Sequence, residues 1–158
     1  MIRIEKPKEG EYNPDVLPYI NLLPGDGRII KYLADNFKKN KNFILSIPRK
    51  KLSYSYAPNK CTMKEILLHL MDEERIYTYR ALRIARNDKT PLPGYNADEY
   101  NLFTKANERS TKNILKEYDT VRNATISLFK SFDEAVFLRT GTAVGNSVSV
   151  RAIAYHRT

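Results

Sequence analysis

The fold is decided by residues 62–87, which read TMKEILLHLMDEERIYTYRALRIARN. Thr62 and Glu65 have the spacing of a helix capping box, in which each side chain bonds the backbone amide of the other residue. The apolar residues that follow recur with a helical period and are expected to face a core: Ile66, Leu67, Leu70, Met71, Ile76, Tyr77, Ala81, Ile84 and Ala85. The stretch therefore predicts one long amphipathic helix.

Two other long segments have the same helical period. Residues 26–46 begin at Asp26, which is a suitable helix N-cap, and the pattern stops at Pro48. Residues 106–132 form the second segment, and the Pro91–Gly94 region before it marks a definite loop. Both segments are expected to pack against the helix of residues 62–87.

The two ends of the chain differ from this pattern. Residues 1–25 contain four prolines and are expected to form an ordered but irregular lead-in. Residues 140–146 are expected to be a loop, followed by a short helix from about residue 147 that Ser147 or Ser149 caps. We find no convincing pair of strands. The chain is therefore expected to be one all-α domain over residues 1–158, a bundle of three long helices and a short fourth one.

Composition excludes several classes of protein. The chain has 158 residues, of which 42% are apolar and 28% are charged, as in an ordinary globular domain rather than a disordered or collagen-like one. No apolar run has the length of a membrane span or of a signal peptide, so we expect no membrane partner. Cys61 is the single cysteine, which excludes an internal disulfide and favours a cytoplasmic location.

The net charge of +9 is concentrated in residues 1–60, where 12 basic residues face 6 acidic ones. A basic surface of this kind attracts nucleic acids when aromatic side chains or a binding motif support it. Neither is present, so nucleic acid is not the expected partner. The basic and aromatic side chains along residues 75–86 are likewise expected to form an exposed stripe that neighbouring acids neutralise, rather than a phosphate site.

Two side chains are candidates for chemistry. His69 lies in the middle of the long helix, and Asp72 and Glu73 follow on the same side. On spacing alone, His69 is either a metal ligand or general base, or a boundary histidine with local carboxylate partners. Cys61 precedes the helix cap, where a thiol pKa can be lowered, but no histidine or second cysteine accompanies it in sequence. We therefore expect Cys61 to be inert.

Residues 54–75 read YSYAPNKCTMKEILLHLMDEER, and this stretch resembles the YAPGKWT-KE-L-HL-D-ER signature of the DinB-like superfamily. The likeness continues through residues 79–88 and 90–95, and again at residues 121–125 and 148–155. It spans about residues 18–155. Cys61 stands where the family has tryptophan, and the chain contains no tryptophan.

The resemblance implies a four-helix bundle with long crossover connections, assembled as a homodimer. It also implies a divalent-metal site, zinc or nickel, formed by three histidines. His69 matches the first of these ligands. The other two belong to a fourth-helix GHExHH segment, whereas this chain reads His156-Arg157-Thr158 after Tyr155 and ends. We therefore expect a truncated fourth helix, no transferred ligand role for His156, and weak or absent metal binding.

Two functions are considered, and the resemblance implies the first of them. One is a divalent-metal-dependent thiol S-transferase or hydrolase, with a small-molecule thiol as substrate, whose metal site is incomplete in this chain. The alternative is a non-catalytic dimeric helical-bundle protein that keeps the fold without the metal. In both cases His69 is expected to point into the cleft between the second and fourth helices, close to Asp72 or Glu73.

Overall fold

A computed structural model of the protein describes residues 2–58 and 60–158. Its elements are, in chain order, α1 (Leu17–Asn21), α2 (Ile29–Ser46), α3 (Arg49–Leu52), α4 (Met63–Ala85), α5 (Ala97–Leu102), α6 (Thr111–Lys130), α7 (Glu134–Phe137), β1 (Thr140–Ala143), β2 (Asn146–Ser149) and α8 (Val150–His156). Single 3₁₀ turns lie at Pro14–Val16 and Ala106–Glu108. None of the helices in this part of the chain is long and apolar enough to cross a membrane.

Helices α2, α4, α6 and α8 form the bundle. Helix α6 packs against both α2 and α4, and α4 also packs against α8. The predicted all-α bundle is confirmed, and the three long helices begin and end within about five residues of the predicted bounds. The fourth bundle helix, α8, covers seven residues. The long segments between α2 and α4, and between α4 and α6, contain the short helices α3 and α5.

Helix α4 begins where its sequence predicts. The Thr62 hydroxyl accepts a hydrogen bond from the Glu65 amide at 3.2 Å, and the Thr62 amide donates to Glu65 Oε2 at 2.7 Å. The same hydroxyl donates to Asn107 Oδ1 at 3.0 Å, next to the turn that precedes α6. The capping box therefore satisfies the exposed amides of α4 and also links the start of this helix to the α6 side of the bundle.

The buried face of α4 is only partly the predicted one. Leu67 and Met71 are buried as expected, but Ile66 is 40% exposed and Leu70 is 36% exposed. Their predicted core positions are wrong because apolar residues cover more than half of the helix circumference at this point. The contacts with α6 select the flank that contains Leu67, and the opposite flank stays in solvent.

An ion pair lies inside the bundle on the buried face of α4. Glu74 is 2% exposed and Arg122 of α6 is 6% exposed. Glu74 Oε2 lies 2.9 Å from Arg122 Nη2, and Arg122 Nη1 donates to the Leu33 carbonyl of α2 at 3.3 Å. One guanidinium therefore connects three bundle helices, which apolar periodicity alone does not reveal.

The structure contains a pair of strands, so the prediction of no strand pair is wrong. Strands β1 and β2 form an antiparallel hairpin in place of the loop expected at residues 140–146. Val144 and Gly145 form its turn with φ of 51° and 75°, the left-handed conformation of a tight hairpin turn. Valine rarely adopts it, so the sequence carries a weak turn signal. Hydrogen bonds of 2.9 Å from the Val144 amide to Leu92 O, and from the Leu92 amide to Thr142 O, hold the hairpin against the α4–α5 connection.

The lead-in is irregular but firmly attached. The Tyr155 hydroxyl of α8 donates to the Ile4 carbonyl at 3.0 Å, and the Ile4 amide bonds Gly27 O at 3.0 Å. Arg151 of α8 is buried and donates through Nε to Glu11 Oε2 at 2.7 Å. These contacts place the N-terminal segment along α8. It also contains the short helix α1, which the prolines did not indicate.

Candidate functional site

His69 lies on α4 one turn before Glu73, at a position where the side chain is half-buried. Its Nε2 atom is 3.9 Å from Glu73 Oε2, and 36% of the histidine side chain is exposed. Asp72 pairs with Arg75 instead, its Oδ1 lying 3.4 Å from Arg75 Nη1, and burial raises the Asp72 pKa above its ordinary value. Of the two expected neighbours of His69, the structure therefore provides Glu73.

Glu73 is the centre of a polar network between α4 and the end of α8. Its Oε2 accepts from Arg157 Nη1 at 2.9 Å, and its Oε1 accepts from the Tyr95 hydroxyl at 3.2 Å. Burial acts to raise the Glu73 pKa, but the charge and hydrogen bond of Arg157 outweigh it and leave the pKa below its ordinary value. Glu73 is therefore an ionised carboxylate with both oxygens engaged. Desolvation raises the pKa of Tyr95 well above its ordinary value, so Tyr95 remains a donor.

His156 lies beside this network in an aromatic environment. Its ring centroid is 4.9 Å from that of Tyr77 and 5.6 Å from that of Tyr19. Burial, and then the charge of Arg157, lower the His156 pKa to about 4. The neutral ring has its Nε2 3.1 Å from Arg157 Nη2, and since a guanidinium only donates, Nε2 accepts this hydrogen bond. That nitrogen is therefore occupied by Arg157.

We expect His156 to make the free energy of unfolding depend on pH. In the unfolded chain a histidine takes up a proton near pH 6.5, whereas folded His156 stays neutral down to a pH of about 4. The unfolded state binds more protons in this window, so stability falls as the pH decreases from about 6.5 to about 4, by at most about 3 kcal/mol.

Urea unfolding of the wild type and of His156→Phe, measured between pH 7.5 and 4, checks this dependence. The variant retains an aromatic ring and lacks the proton site, and the carboxylates titrate in both proteins. The difference in unfolding free energy between the two should therefore change in favour of the variant as the pH decreases. A constant difference would contradict the buried, neutral state of His156.

The residues described here do not complete a metal centre. Within residues 2–58 and 60–158, no three His, Cys, Asp or Glu side chains are grouped to hold an ion. His69 and Glu73 supply two donors, and Arg157 and Tyr95 already occupy the Glu73 oxygens. A catalytic zinc site uses three protein ligands and one open position. Metal binding at His69 would therefore need further donors, and Glu73 could be one of them only if Arg157 were displaced.

The other candidates have ordinary surroundings. Cys61 is exposed, and its Sγ accepts from Asn101 Nδ2 at 3.0 Å. Along the basic stripe, Arg75 lies 2.6 Å from Glu117 Oε1 and Arg83 lies 2.5 Å from Asp88 Oδ2. Acids therefore neutralise both arginines, although Glu117 reaches Arg75 from α6 rather than from a neighbouring position in the sequence. Tyr95 and Arg157 were missed, because no local pattern links a loop tyrosine and a late arginine to a residue of α4.

The bundle with its crossover segments, and a half-buried histidine on α4 beside the end of α8, define a class of four-helix-bundle proteins. The family model of the DinB superfamily matches residues 34–157, and the chain belongs to this superfamily. The resemblance found in the sequence is thus confirmed.

One solved structure supports the same fold. YfiT from Bacillus subtilis, described as a probable metal-dependent hydrolase with an unusual four-helix bundle topology, matches with a TM-score of 0.65. The match covers 98% of this chain and 84% of that chain at 12% sequence identity, so the likeness concerns the fold. The curated proteins contain no significant match.

Proposed function

We propose that this chain is a DinB-type protein of the metal-dependent hydrolase or thiol S-transferase class, with an incomplete metal centre in which His69 occupies one ligand position. The observation that carries the proposal is the 3.9 Å approach of His69 Nε2 to Glu73 Oε2 beside the end of α8. YfiT, described as a probable metal-dependent hydrolase, shares the fold. A divalent zinc or nickel ion, when bound in such a centre, acidifies a coordinated water or a small-molecule thiol.

The side chains around His69 have separate roles in this proposal. Glu73 lies one turn from His69 on α4, and its Oε2 is 3.9 Å from the imidazole Nε2, which is ion-pair rather than hydrogen-bond distance. Tyr95 and Arg157 hold the Glu73 carboxylate from two sides. His69 remains partly exposed and is available to a ligand.

A second candidate is a non-catalytic helical bundle, and the Arg157–Glu73 contact favours it. Arg157 is nearly buried and places a permanent positive charge 2.9 Å from Glu73 Oε2. A guanidinium neutralises the carboxylate as a metal ion would, but it provides no open coordination position. If the protein is non-catalytic, the network of Glu73, Arg157 and Tyr95 stabilises the contact between α4 and the end of α8 and takes part in no reaction.

Zinc and nickel titrations, followed by calorimetry on protein without an affinity tag, separate the two candidates. We expect the 158-residue chain to retain no stoichiometric transition metal. Extending α8 by a helical tail with two histidines one turn apart should restore one tightly bound ion. His69→Ala in the extended protein should weaken that binding by at least about a hundredfold, since loss of an outer partner alone already costs up to this amount.

Asp72→Asn in the extended protein is the matched control, because Asp72 faces Arg75 rather than His69. It should leave the metal affinity unchanged. If the extended protein binds no metal, or binds it equally well with His69→Ala, the metal proposal is wrong and the non-catalytic bundle is supported.

We also propose that the protein is a cytoplasmic homodimer. On the described surface, Ile66 and Leu70 lie one turn apart on the same flank of α4 and are both exposed. A second copy of the chain is the proposed partner of these side chains, since contiguous apolar surface tends to be covered. Sedimentation at micromolar concentration should show a dimer, and a double variant, Ile66→Glu with Leu70→Glu, should shift it to the monomer.

A further inference from the structure

A cavity separate from His69 lies between the lead-in, α4, the hairpin and α8. Its volume is about 220 Å³. Neither His69 nor Glu73 lines it. The polar part of its wall consists mainly of Tyr12, Tyr77, Arg80, Asn146 and His156. Valine, alanine and isoleucine side chains form the remainder.

Arg80 is the unusual residue of this wall. It is 5% exposed, and in the described part of the chain no carboxylate lies within ion-pair distance of it. Its hydrogen bond runs from Nη2 to the Pro93 carbonyl at 2.8 Å, and its guanidinium lies 5.0 Å from the centroid of the Tyr77 ring. A guanidinium has five N–H donors, so most of its capacity is not used by these contacts.

Two other buried arginines, in contrast, form ion pairs with acidic residues. Arg122 pairs with Glu74 at 2.9 Å, and Arg151 pairs with Glu11. Burying a charge is costly unless an opposite charge compensates it. Arg80 has no acidic partner within ion-pair distance among the described residues. It lines a cavity, which leaves space for an anion beside its guanidinium.

The other lining residues indicate which kind of anion the cavity could bind. No Asp or Glu lines the cavity, and His156 is neutral there at ordinary pH because burial lowers its pKa to about 4. Arg157 does not line the cavity, and its charge is paired with Glu73, so Arg80 is the cation of this wall. The apolar and aromatic residues are suited to a hydrocarbon or aromatic body, and a carboxylate matches the fork of a guanidinium.

We propose that this cavity is a binding site for a small organic monocarboxylate, with Arg80 holding the carboxylate and the aromatic and aliphatic wall holding its apolar body. The site does not depend on the metal proposal, because it uses neither His69 nor Glu73. Its failure would leave that proposal untouched, and the reverse also holds.

Benzoate, with benzamide as its neutral isostere, is the probe for this site. In saturation-transfer NMR at constant ionic strength and pH 7.5, we expect benzoate to bind the wild type with a Kd on the order of 1 mM. Benzamide should bind at least about tenfold more weakly, since it cannot form the charge-assisted bonds. Equal binding of the two probes, or no benzoate binding at about 20 mM, would overturn the proposal.

Variants locate the binding. Arg80→Met should weaken benzoate binding at least about tenfold, and Arg80→Lys, which keeps the charge without the fork, should lie between that variant and the wild type. Arg83→Met is the matched control on the same helix, because it removes an equal charge that Asp88 neutralises outside the cavity. It should have no effect. Equal losses in Arg80→Met and Arg83→Met would show non-specific attraction to a basic protein and overturn the site.

A filling variant keeps the test valid if Arg80→Met does not fold. Val148 lines the cavity from β2 and is partly buried, so Val148→Phe should occupy part of its volume. We expect this variant to lose benzoate binding while it keeps the helical circular dichroism of the wild type. A folded Val148→Phe that binds benzoate as the wild type does would place the ligand elsewhere.

Discussion

Arg122→Met is expected to lower the free energy of unfolding by about 3–5 kcal/mol. The substitution removes the cation that lies 2.9 Å from Glu74 Oε2 and leaves this carboxylate in an interior where it is 2% exposed. The other carboxylate oxygen, Oε1, already has no hydrogen-bond partner within the described residues. The variant therefore contains a buried charge without compensation, which is one of the costliest single changes in a core.

The double variant, Glu74→Leu with Arg122→Met, shows whether the lost stability comes from the unpaired charge. Replacing a whole buried pair by apolar residues of similar volume is often neutral or stabilising. We therefore expect the double variant to recover most of the loss in urea unfolding followed by circular dichroism. Arg75→Met is the matched control, because its pair with Glu117 is partly exposed, and it should cost less than about 1 kcal/mol. A comparable cost in Arg122→Met would contradict the buried pair.

Tyr155→Ala is expected to destabilise the protein by about 3–5 kcal/mol, the range for aromatic residues deleted from a core. Tyr155 is 1% exposed on α8, and its hydroxyl donates to the Ile4 carbonyl of the lead-in at 3.0 Å. The truncation removes the ring that fills the space between α8 and the lead-in, and it leaves the Ile4 carbonyl without this donor.

Tyr155→Phe separates the two contributions. It keeps the ring and deletes only the hydroxyl, so we expect a loss of about 1–2 kcal/mol for an unsatisfied carbonyl. Hydrogen exchange of the Ile4 amide reports on the lead-in, and it should become faster in both variants because the contact between Tyr155 and Ile4 is lost. If Tyr155→Phe costs as much as Tyr155→Ala, packing of the ring is not the main contribution.

Local patterns determined the long helices of this protein. The capping box at Thr62 and Glu65 predicts the start of α4 to within one residue, because both partners lie within one turn of the chain. The prolines after α2 and after α4 mark where the helical period stops. The motif of residues 54–75 identified the superfamily, since its residues are consecutive in the chain and lead from the connection before α4 into this helix. In each case the deciding interaction joins residues that are close in sequence.

The site and the inner polar contacts depend on residues far apart in the chain. Glu73 contacts Arg157, which is 84 positions away in the sequence, and Tyr95, which is 22 positions away. No local sequence pattern can therefore predict which residues neutralise or hydrogen-bond Glu73. The hairpin at residues 140–149 exists because Leu92 bonds its turn region, although Val144 is a poor turn residue. Leu70 is a further example. Its place in the apolar period of α4 predicts a core position, but the packing of the bundle leaves it exposed.

The sequence by itself determined which long segments are helical and which family the chain belongs to, because capping and apolar period act within a few residues. Only the tertiary structure decided which flank of α4 is buried, which acid pairs with each arginine, and that Arg80 lines a cavity without such a partner among the described residues. The physical reason is that burial and charge pairing are set by the element packed opposite. That element is separated from its partner by the crossover segments of the bundle.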